Sequence, residues 1–361
     1  TKKCEKNRPL YIVFPSKIST INISMLVQDL KKIEVELTTR CNARCPGCAR
    51  TLKGETNPNV ELADITLENY KKILHSKEYI ENKEIFYCGV LGDPIVNKDF
   101  KEICEYTLSM NPKVLIISTN GGLRSKEYWS ELGAISKDNS KLDMRFCIDG
   151  FENTNHIYRV GVNWNKLVEN MTAYSKAGGK GQWVYNPFDH NIDDIEKAKQ
   201  LSAKLGFKFT LRYSMKQESK HTVVNKKTKE VVNEVSLTNK KYQHPELKKK
   251  TIKKEETKNL NIKCKLIHEG EIYLGANHQI WPCCYLYDNN WYKRDDMSEK
   301  FSKYSSNWNN SLEHDIQDIL DHEWFSQILK DSWNENHPMF LSRCQKSCSH
   351  FGKKQHTFAE I

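Results

Sequence analysis

A chain of 361 residues, 38% hydrophobic and 28% charged, is long enough for one large α/β domain and a smaller appendage, and this excludes a wholly disordered protein. It contains no apolar run of about 18 residues, and its start has neither the apolar stretch nor the small-residue cleavage site of a signal peptide, so a cytoplasmic protein away from the membrane is expected. The formal charge of +10 raises nucleic acid as a partner, but 14 Lys and 6 Glu between Lys216 and Lys263 account for +8 of it and leave the rest of the chain nearly neutral.

Short strands rich in β-branched or aromatic residues are predicted at 33–37, 85–90, 114–118, 144–148, 182–185 and 207–211. Amphipathic helices are predicted between them, at 67–74, 98–108, 164–177 and 192–205, with Gly206 as the stop of the last. Six strand-helix units imply a parallel sheet with right-handed crossovers, and polar loops after each strand favour an incomplete barrel over a flat sheet. In such folds the chemistry gathers at the carboxyl ends of the strands.

Beyond residue 214 the periodicity weakens. The stretch HTVVNKKTKEVVNEV reads as a charged hairpin turning at 225–228, and HPELKKKTIKKEETK as a solvated helix or linker. A second small domain starts at Cys264 with two strands turning at 275–278, and an amphipathic helix is expected at 311–329. The chain thus divides into an N-terminal extension (1–31), a barrel (32–214), a Lys-rich linker or insertion (215–262) and a C-terminal domain (263–361).

Twelve cysteines in a chain with no secretory signal point to metal more than to disulfides, because seven of them fall into two groups. The first group lies in IEVELTTRCNARCPGCAR, where Cys41, Cys45 and Cys48 stand in C-x3-C-x2-C spacing directly after the first strand. Three thiolates from one loop can occupy three irons of a cubane and leave the fourth open. A structural zinc site is the alternative, although it wants a fourth ligand that this stretch lacks.

This motif resembles that of the radical S-adenosylmethionine enzymes. The resemblance implies a partial (β/α)6 barrel followed by a small α+β auxiliary-cluster domain, with S-adenosylmethionine on the open iron and one-electron cleavage releasing a 5'-deoxyadenosyl radical. Gly47 stands where the family has an aromatic residue whose adenine contact runs through the backbone. In CGVLGDPIV, the residues Gly92, Asp93 and Pro94 resemble the Gly-Gly-Glu-Pro motif that binds the cofactor's amino group. Ser118 and Asn120 of STNGG resemble the ribose-side segment. In CIDGFENTNHIYRVG, Cys147 and Asp149 resemble a Ser-Ile-Asp-Gly segment, and Arg159 is a candidate partner for the cofactor carboxylate. Taken as a turn or a surface Arg, each of these short matches has a bland meaning too. Asn186, His190 and Asn191 are expected at the mouth, as ligand contacts or as a polar loop cap.

The second group, Cys264, Cys283, Cys344 and Cys348, resembles the twitch domain, a shortened SPASM domain holding one auxiliary 4Fe-4S cluster. Cys284 is the alternative to Cys283, and a four-thiolate zinc site the alternative to the cluster. Two 4Fe-4S clusters and S-adenosylmethionine are therefore the implied cofactors, with flavodoxin or ferredoxin as electron donor. An auxiliary cluster favours oxidative modification, either of a peptide or protein side chain or of a small molecule such as a sugar alcohol. The roughly 30 residues before the first strand are too few for a fused leader-peptide-binding domain of about 80, whereas the Lys-rich segment would attract an acidic peptide. The rival reading, a basic metal protein that binds RNA, is weakened because the Lys run has no Arg and little aromatic interleaving. No catalytic acid or base is identified by the sequence.

Overall fold

The computed structural model describes residues 25–214, 220–225, 227–242, 262–292, 300–301, 303–349 and 356–360. Its centre is a sheet whose strands β1 (Lys32–Val35), β4 (Glu84–Tyr87), β5 (Val114–Thr119), β6 (Leu142–Cys147), β7 (Gly181–Tyr185) and β8 (Lys208–Ser214) are parallel neighbours in chain order. A two-strand hairpin, β2 (Thr51–Leu52) and β3 (Glu55–Thr56), interrupts the loop after β1. Each new strand joins the same side, which is the winding of a barrel and not the reversal of a doubly wound sheet. All six expected strands are present, with helices in each of the five crossovers between them.

Helices cover one face of this sheet. α1 (Leu67–Ile73) starts where Thr66 Oγ1 accepts from Asn69 N at 3.1 Å, and α2 (Lys77–Ile80) follows it closely. α3 (Phe100–Ser109) buries Phe100, Ile103, Cys104 and Thr107, a one-face spacing that explains its helical period. After α4 (Lys126–Asp138) and the short α5 (Asn155–Tyr158) comes α6 (Trp164–Lys176), capped by Asn163, and then α7 (Ile195–Lys204). Trp129 of α4 and Tyr174 of α6 pack on Phe146 of β6 with centroids 5.3 and 5.6 Å away, so the face of β6 that carries Leu142, Met144 and Phe146 is the helix-covered one.

The opposite face is the inside of the partial barrel, and it is polar. β6 reads Leu142-Asp143-Met144-Arg145-Phe146-Cys147 with buried and half-buried residues in strict alternation. Register places Ser118 opposite Arg145, and Glu34 opposite Phe86, on that inner face. Asp143 accepts from Arg145 Nε at 2.8 Å and from Gln182 Nε2 at 3.0 Å. A barrel packed shut would carry branched apolar side chains there.

The expected hairpin in the Lys-rich segment forms as β9 (His221–Val224) and β10 (Val231–Val235), whereas the helix or linker expected at 244–258 lies outside the described residues. Downstream, β11 (Glu271–Leu274) and β12 (Ile280–Trp281) turn through Gly275–His278 as expected. They do not start a sheet of their own. β11 lies parallel to β1, with Lys32 beside Glu271 and Val35 beside Leu274, so the C-terminal unit extends the barrel's sheet. α8 (Cys284–Tyr292) follows, and at the far edge β13 (His356–Glu360) runs antiparallel to β8.

The single helix expected at 311–329 is divided. Asp315 caps Gln317 N at 2.8 Å and so delays the start of α9 (Ile316–Asp321), and His322 then adopts extended backbone before a π-helical turn at Trp324–Ile328. The break lets Trp324 meet Trp281 and Phe301, at 6.1 and 5.2 Å between centroids, in the aromatic core of this unit. α10 (Ser342–Cys348) carries the closing cysteines.

Candidate active site at the carboxyl ends of the strands

The loop after β1 is pinned on both sides. Thr38 Oγ1 donates to Asp64 at 2.6 Å, Thr39 Oγ1 to Glu61 O at 2.7 Å, and Arg50 Nη1 to Thr39 O at 2.7 Å. Within the loop Cys48 N donates to Cys45 O at 3.0 Å, which curls the three cysteines toward one another. Cys45 is buried and Cys41 and Cys48 are half-buried. Each sulfur meets N–H donors: Ala43 N at 3.3 Å and Asn120 Nδ2 at 3.8 Å for Cys41, Arg159 Nη1 at 3.7 Å for Cys45, and Arg50 N at 3.4 Å for Cys48. Burial pushes the Cys45 thiol up to about 11, with the Arg159 cation opposing it and the Cys48 thiol adding to it. Three thiols of one loop, each faced by a donor that stabilises thiolate, fit a cluster that takes one sulfur at each of three irons.

The loop after β4 presses against this one. An added Cβ on Gly92 would stand 1.8 Å from Thr38 O and 2.9 Å from Arg40 O, so only glycine permits the approach. Asp93 is buried, and its Oδ2 accepts from Asn120 N at 2.7 Å and Asn120 Nδ2 at 2.6 Å while Oδ1 caps Ile95 N at 3.2 Å. Burial raises its pKa, against the pull of those hydrogen bonds. Pro94 opens the 3-10 turn Pro94–Val96. Asn120 also pairs with Asn42 inside the cysteine loop at 2.9 Å, so Gly92, Asp93, Pro94 and Asn120 meet beside Cys41.

Asp149 and Arg159 meet at the end of β6. Asp149 is fully buried, its Oδ1 accepts from Asn186 N at 2.8 Å and Nδ2 at 2.6 Å, and its Oδ2 lies 2.7 Å from Arg159 Nε as an ion pair out of hydrogen-bond alignment. Arg159 is thus shared between Asp149 and the Cys45 sulfur. Cys147 is half-buried on the inner face, where burial raises its thiol and Arg212 and Arg159 counter that. Ser118 is half-buried on the same face of β5, while its neighbour Thr119 reaches the Asp93 carboxylate.

The mouth residues divide by role. Asn186 binds Asp149 and accepts from Arg212 Nε at 2.7 Å, and Asn191 Nδ2 donates to Asp149 O at 2.8 Å; both are loop caps. His190 differs, since both its ring nitrogens are buried without a hydrogen-bond partner. Burial depresses it to about 4, leaving it neutral at neutral pH, against the Asp149, Asp189 and Asp194 carboxylates. Its ring stacks on Phe188 at 5.6 Å, and Phe188 stacks on Tyr158 at 4.5 Å.

Gly47 lies under the Lys-rich hairpin. A Cβ there would stand 2.8 Å from Tyr158 Oη and 3.2 Å from His221 Nε2 at the start of β9, and Lys229 binds Glu55 of β3 at 2.6 Å. The hairpin therefore covers the outer side of the cysteine loop.

The thiols of the second cysteine group act on one another electrostatically. Burial raises all four thiols, Cys264 to about 11 and Cys283 to about 12. Cys283 is raised further by Cys264 and Cys348, and Cys344 by Cys283, Cys264 and Cys348. Cys284 interacts with Glu34 and Lys265, whereas Cys283 interacts with Cys264 and Cys348. Among the described residues no three His, Cys, Asp or Glu side chains converge tightly enough for a single metal ion. A cubane asks for a wider set, with one thiolate at each iron.

Sequence reasoning passed over Glu36, Arg145 and Thr119. The alternation of Leu142–Cys147 was the available signal for Arg145, whereas nothing local marked Glu36, since the first strand carries Glu34 in the same alternation.

No family model matches the chain. Among curated proteins, the tungsten-containing aldehyde ferredoxin oxidoreductase cofactor-modifying protein of Pyrococcus furiosus is 29% identical over 109 residues, 30% of this chain. That match spans 29% of the relative's own length. Among solved structures, Streptococcus suis SuiB bound to S-adenosylmethionine superposes with a TM-score of 0.52 at 13% identity, covering 85% of this chain and 68% of SuiB. SuiB bound to the precursor peptide SuiA gives 0.51 at 14% identity, covering 88% and 66%. The chain has the fold of the radical S-adenosylmethionine enzymes. In that fold, the cysteine loop and the Gly92–Pro94 loop occupy the carboxyl end of the sheet. No helix among the described residues is long and apolar enough to cross a membrane.

Proposed function

We propose that this chain is an enzyme that reductively cleaves S-adenosylmethionine and uses the product for hydrogen abstraction, and that its C-terminal thiols hold an auxiliary cluster supporting oxidative modification of a peptide or protein side chain. The observation that carries this reading is the meeting of Cys41, Cys45 and Cys48 with Asp93, Asn120 and Arg159 at one end of the parallel sheet. A 4Fe-4S cluster held by Cys41, Cys45 and Cys48 would bind S-adenosylmethionine and pass it the one electron, taken from an external donor, that its reductive cleavage requires.

The chain's own groups then position and exclude. Asp93 supplies a buried carboxylate toward an ammonium group, held in place by Asn120. The Asp149–Arg159 pair fixes a cation beside Cys45. Arg50 and Thr39 keep the loop closed, and the β9–β10 hairpin shields its outer side from water. Three buried thiols and the half-buried Cys348 in the C-terminal unit suit a cluster with no open iron.

SuiB's complex with a precursor peptide and the Lys-rich segment, which would attract an acidic peptide, support the peptide class. The polar inner face, with Asp143, Arg145 and Gln182, supports a second reading in which a small polar molecule is oxidised inside the barrel. We further propose flavodoxin or ferredoxin as the electron donor. Replacing Cys41, Cys45 and Cys48 by Ala should abolish 5'-deoxyadenosine formation from S-adenosylmethionine under reduction; formation at the wild-type rate would contradict the assignment.

A further inference from the structure

One buried carboxylate is used by neither the cysteine loops nor the inner face. Glu36 follows β1 and is wholly shielded from solvent, yet three elements converge on it. Its Oε1 accepts from Leu91 N at 2.5 Å and from Gly92 N at 2.9 Å, the two amides that open the Gly92–Pro94 loop. Its Oε2 accepts from Tyr273 Oη at 2.9 Å on β11, and Tyr287 of α8 faces the same carboxyl. The Tyr273 and Tyr287 rings are 4.8 Å apart, and Tyr287 N donates to Cys283 O at 3.4 Å. One carboxylate thus ties the first cysteine strand, the loop carrying Asp93 and the backbone around Cys283.

A carboxylate is costly to bury, and three hydrogen-bond donors, Leu91 N, Gly92 N and Tyr273 Oη, offset that cost only while all three elements stay in place. We propose that Glu36 is a positioning residue that orders the Leu91–Asp93 loop for S-adenosylmethionine and makes that order depend on the C-terminal four-cysteine unit through Tyr273. This rests on the reading that the chain binds S-adenosylmethionine. The apolar alternatives at this place would fill the space but leave Leu91 N and Gly92 N without an acceptor.

Tyr273 from β11, Tyr287 from α8 and Cys88 after β4 are the titratable groups around the carboxyl. Burial pushes Glu36 up to about 7, with the amides and tyrosines pulling the other way. Its ionised form, dominant above that pH, holds the two amides best.

The test uses full-length, anaerobically reconstituted protein with S-adenosylmethionine as the probe. Its dissociation constant is measured for the wild type, Glu36→Gln, Tyr273→Phe and the double variant, after iron content and circular dichroism are matched. Glu36→Gln should weaken binding about five- to tenfold, and Tyr273→Phe by a smaller factor. The double variant should be no weaker than Glu36→Gln alone, because the tyrosine acts through the carboxylate. Wild-type affinity should fall more steeply than that of Glu36→Gln as pH drops through about 7. Unchanged affinity in Glu36→Gln, or single effects that multiply in the double variant, would overturn the proposal. If Glu36→Gln does not fold, unchanged affinity in Tyr273→Phe overturns it equally. A wild type with two full clusters that neither binds nor cleaves S-adenosylmethionine would instead overturn the functional reading beneath it.

Discussion

The two cysteine sites use one kind of donor in opposite settings. At the barrel mouth three thiols come from eight consecutive residues, every sulfur has an N–H donor, and Asp93, Asn120, Asp149 and Arg159 stand close by. In the C-terminal unit four thiols come from three separate segments, with Lys265 acting on Cys283 and Lys265, Glu269 and Arg343 acting on Cys348. The difference teaches what separates a reacting site from a closed one. Three sulfurs would leave one iron of a cubane to an outside ligand that carries its own charges, whereas four sulfurs would fill every iron.

The strongest way to break this comparison is to disable the closed site alone. Replacing Cys344 and Cys348 by Ala should remove about half of the iron while 5'-deoxyadenosine formation persists and substrate turnover fails. Full product formation by a folded double variant would remove the redox role of the C-terminal thiols. Loss of zinc with unchanged iron would make them a structural metal site instead.

A smaller effect sharpens the open site. Gly92→Ala places a methyl group 1.8 Å from Thr38 O, so the loop must shift. S-adenosylmethionine affinity should fall by more than about tenfold, at a stability cost on the order of 2–3 kcal/mol, with the iron of the four-cysteine unit retained. Calorimetric titration and iron analysis on one sample check both halves, and an affinity equal to wild type would show that the two loops are not packed as described.

How much of this was legible follows from locality. Cys41, Cys45 and Cys48 could be read because their spacing lies within one loop, and the six parallel strands because periodicity is a local signal. The pairing of β11 with β1 was not legible, since residues 32 and 271 share a register only after the whole barrel has closed. Glu36 was hidden for the same reason, as its partners Leu91, Gly92 and Tyr273 lie far along the chain. The helix expected at 311–329 failed because Asp315 and His322 interrupt a pattern whose apolar spacing continues past both. Of the expected mouth residues, Asn186 and Asn191 are distinguished from His190 only by hydrogen bonds that no spacing encodes.

The smallest expected effect concerns His190. Its folded-state pKa lies near 4, below the ordinary 6.5, so the unfolded chain binds a proton more readily and stability is lost as pH falls from about 6.5 toward 4. Between pH 7.5 and 5.5, His190→Gln should lose less stability than the wild type by about 1 kcal/mol, a figure reduced for partial solvent exposure. Urea midpoints at the two pH values measure this, and equal losses would mean that the ring is solvated or paired.

The most direct measurement of the central claim is the metal and cofactor chemistry of the anaerobically reconstituted wild type. The account predicts about eight irons per chain with charge-transfer absorption, and 5'-deoxyadenosine formed from S-adenosylmethionine on reduction. Stoichiometric zinc, no charge-transfer absorption and intact S-adenosylmethionine would contradict it.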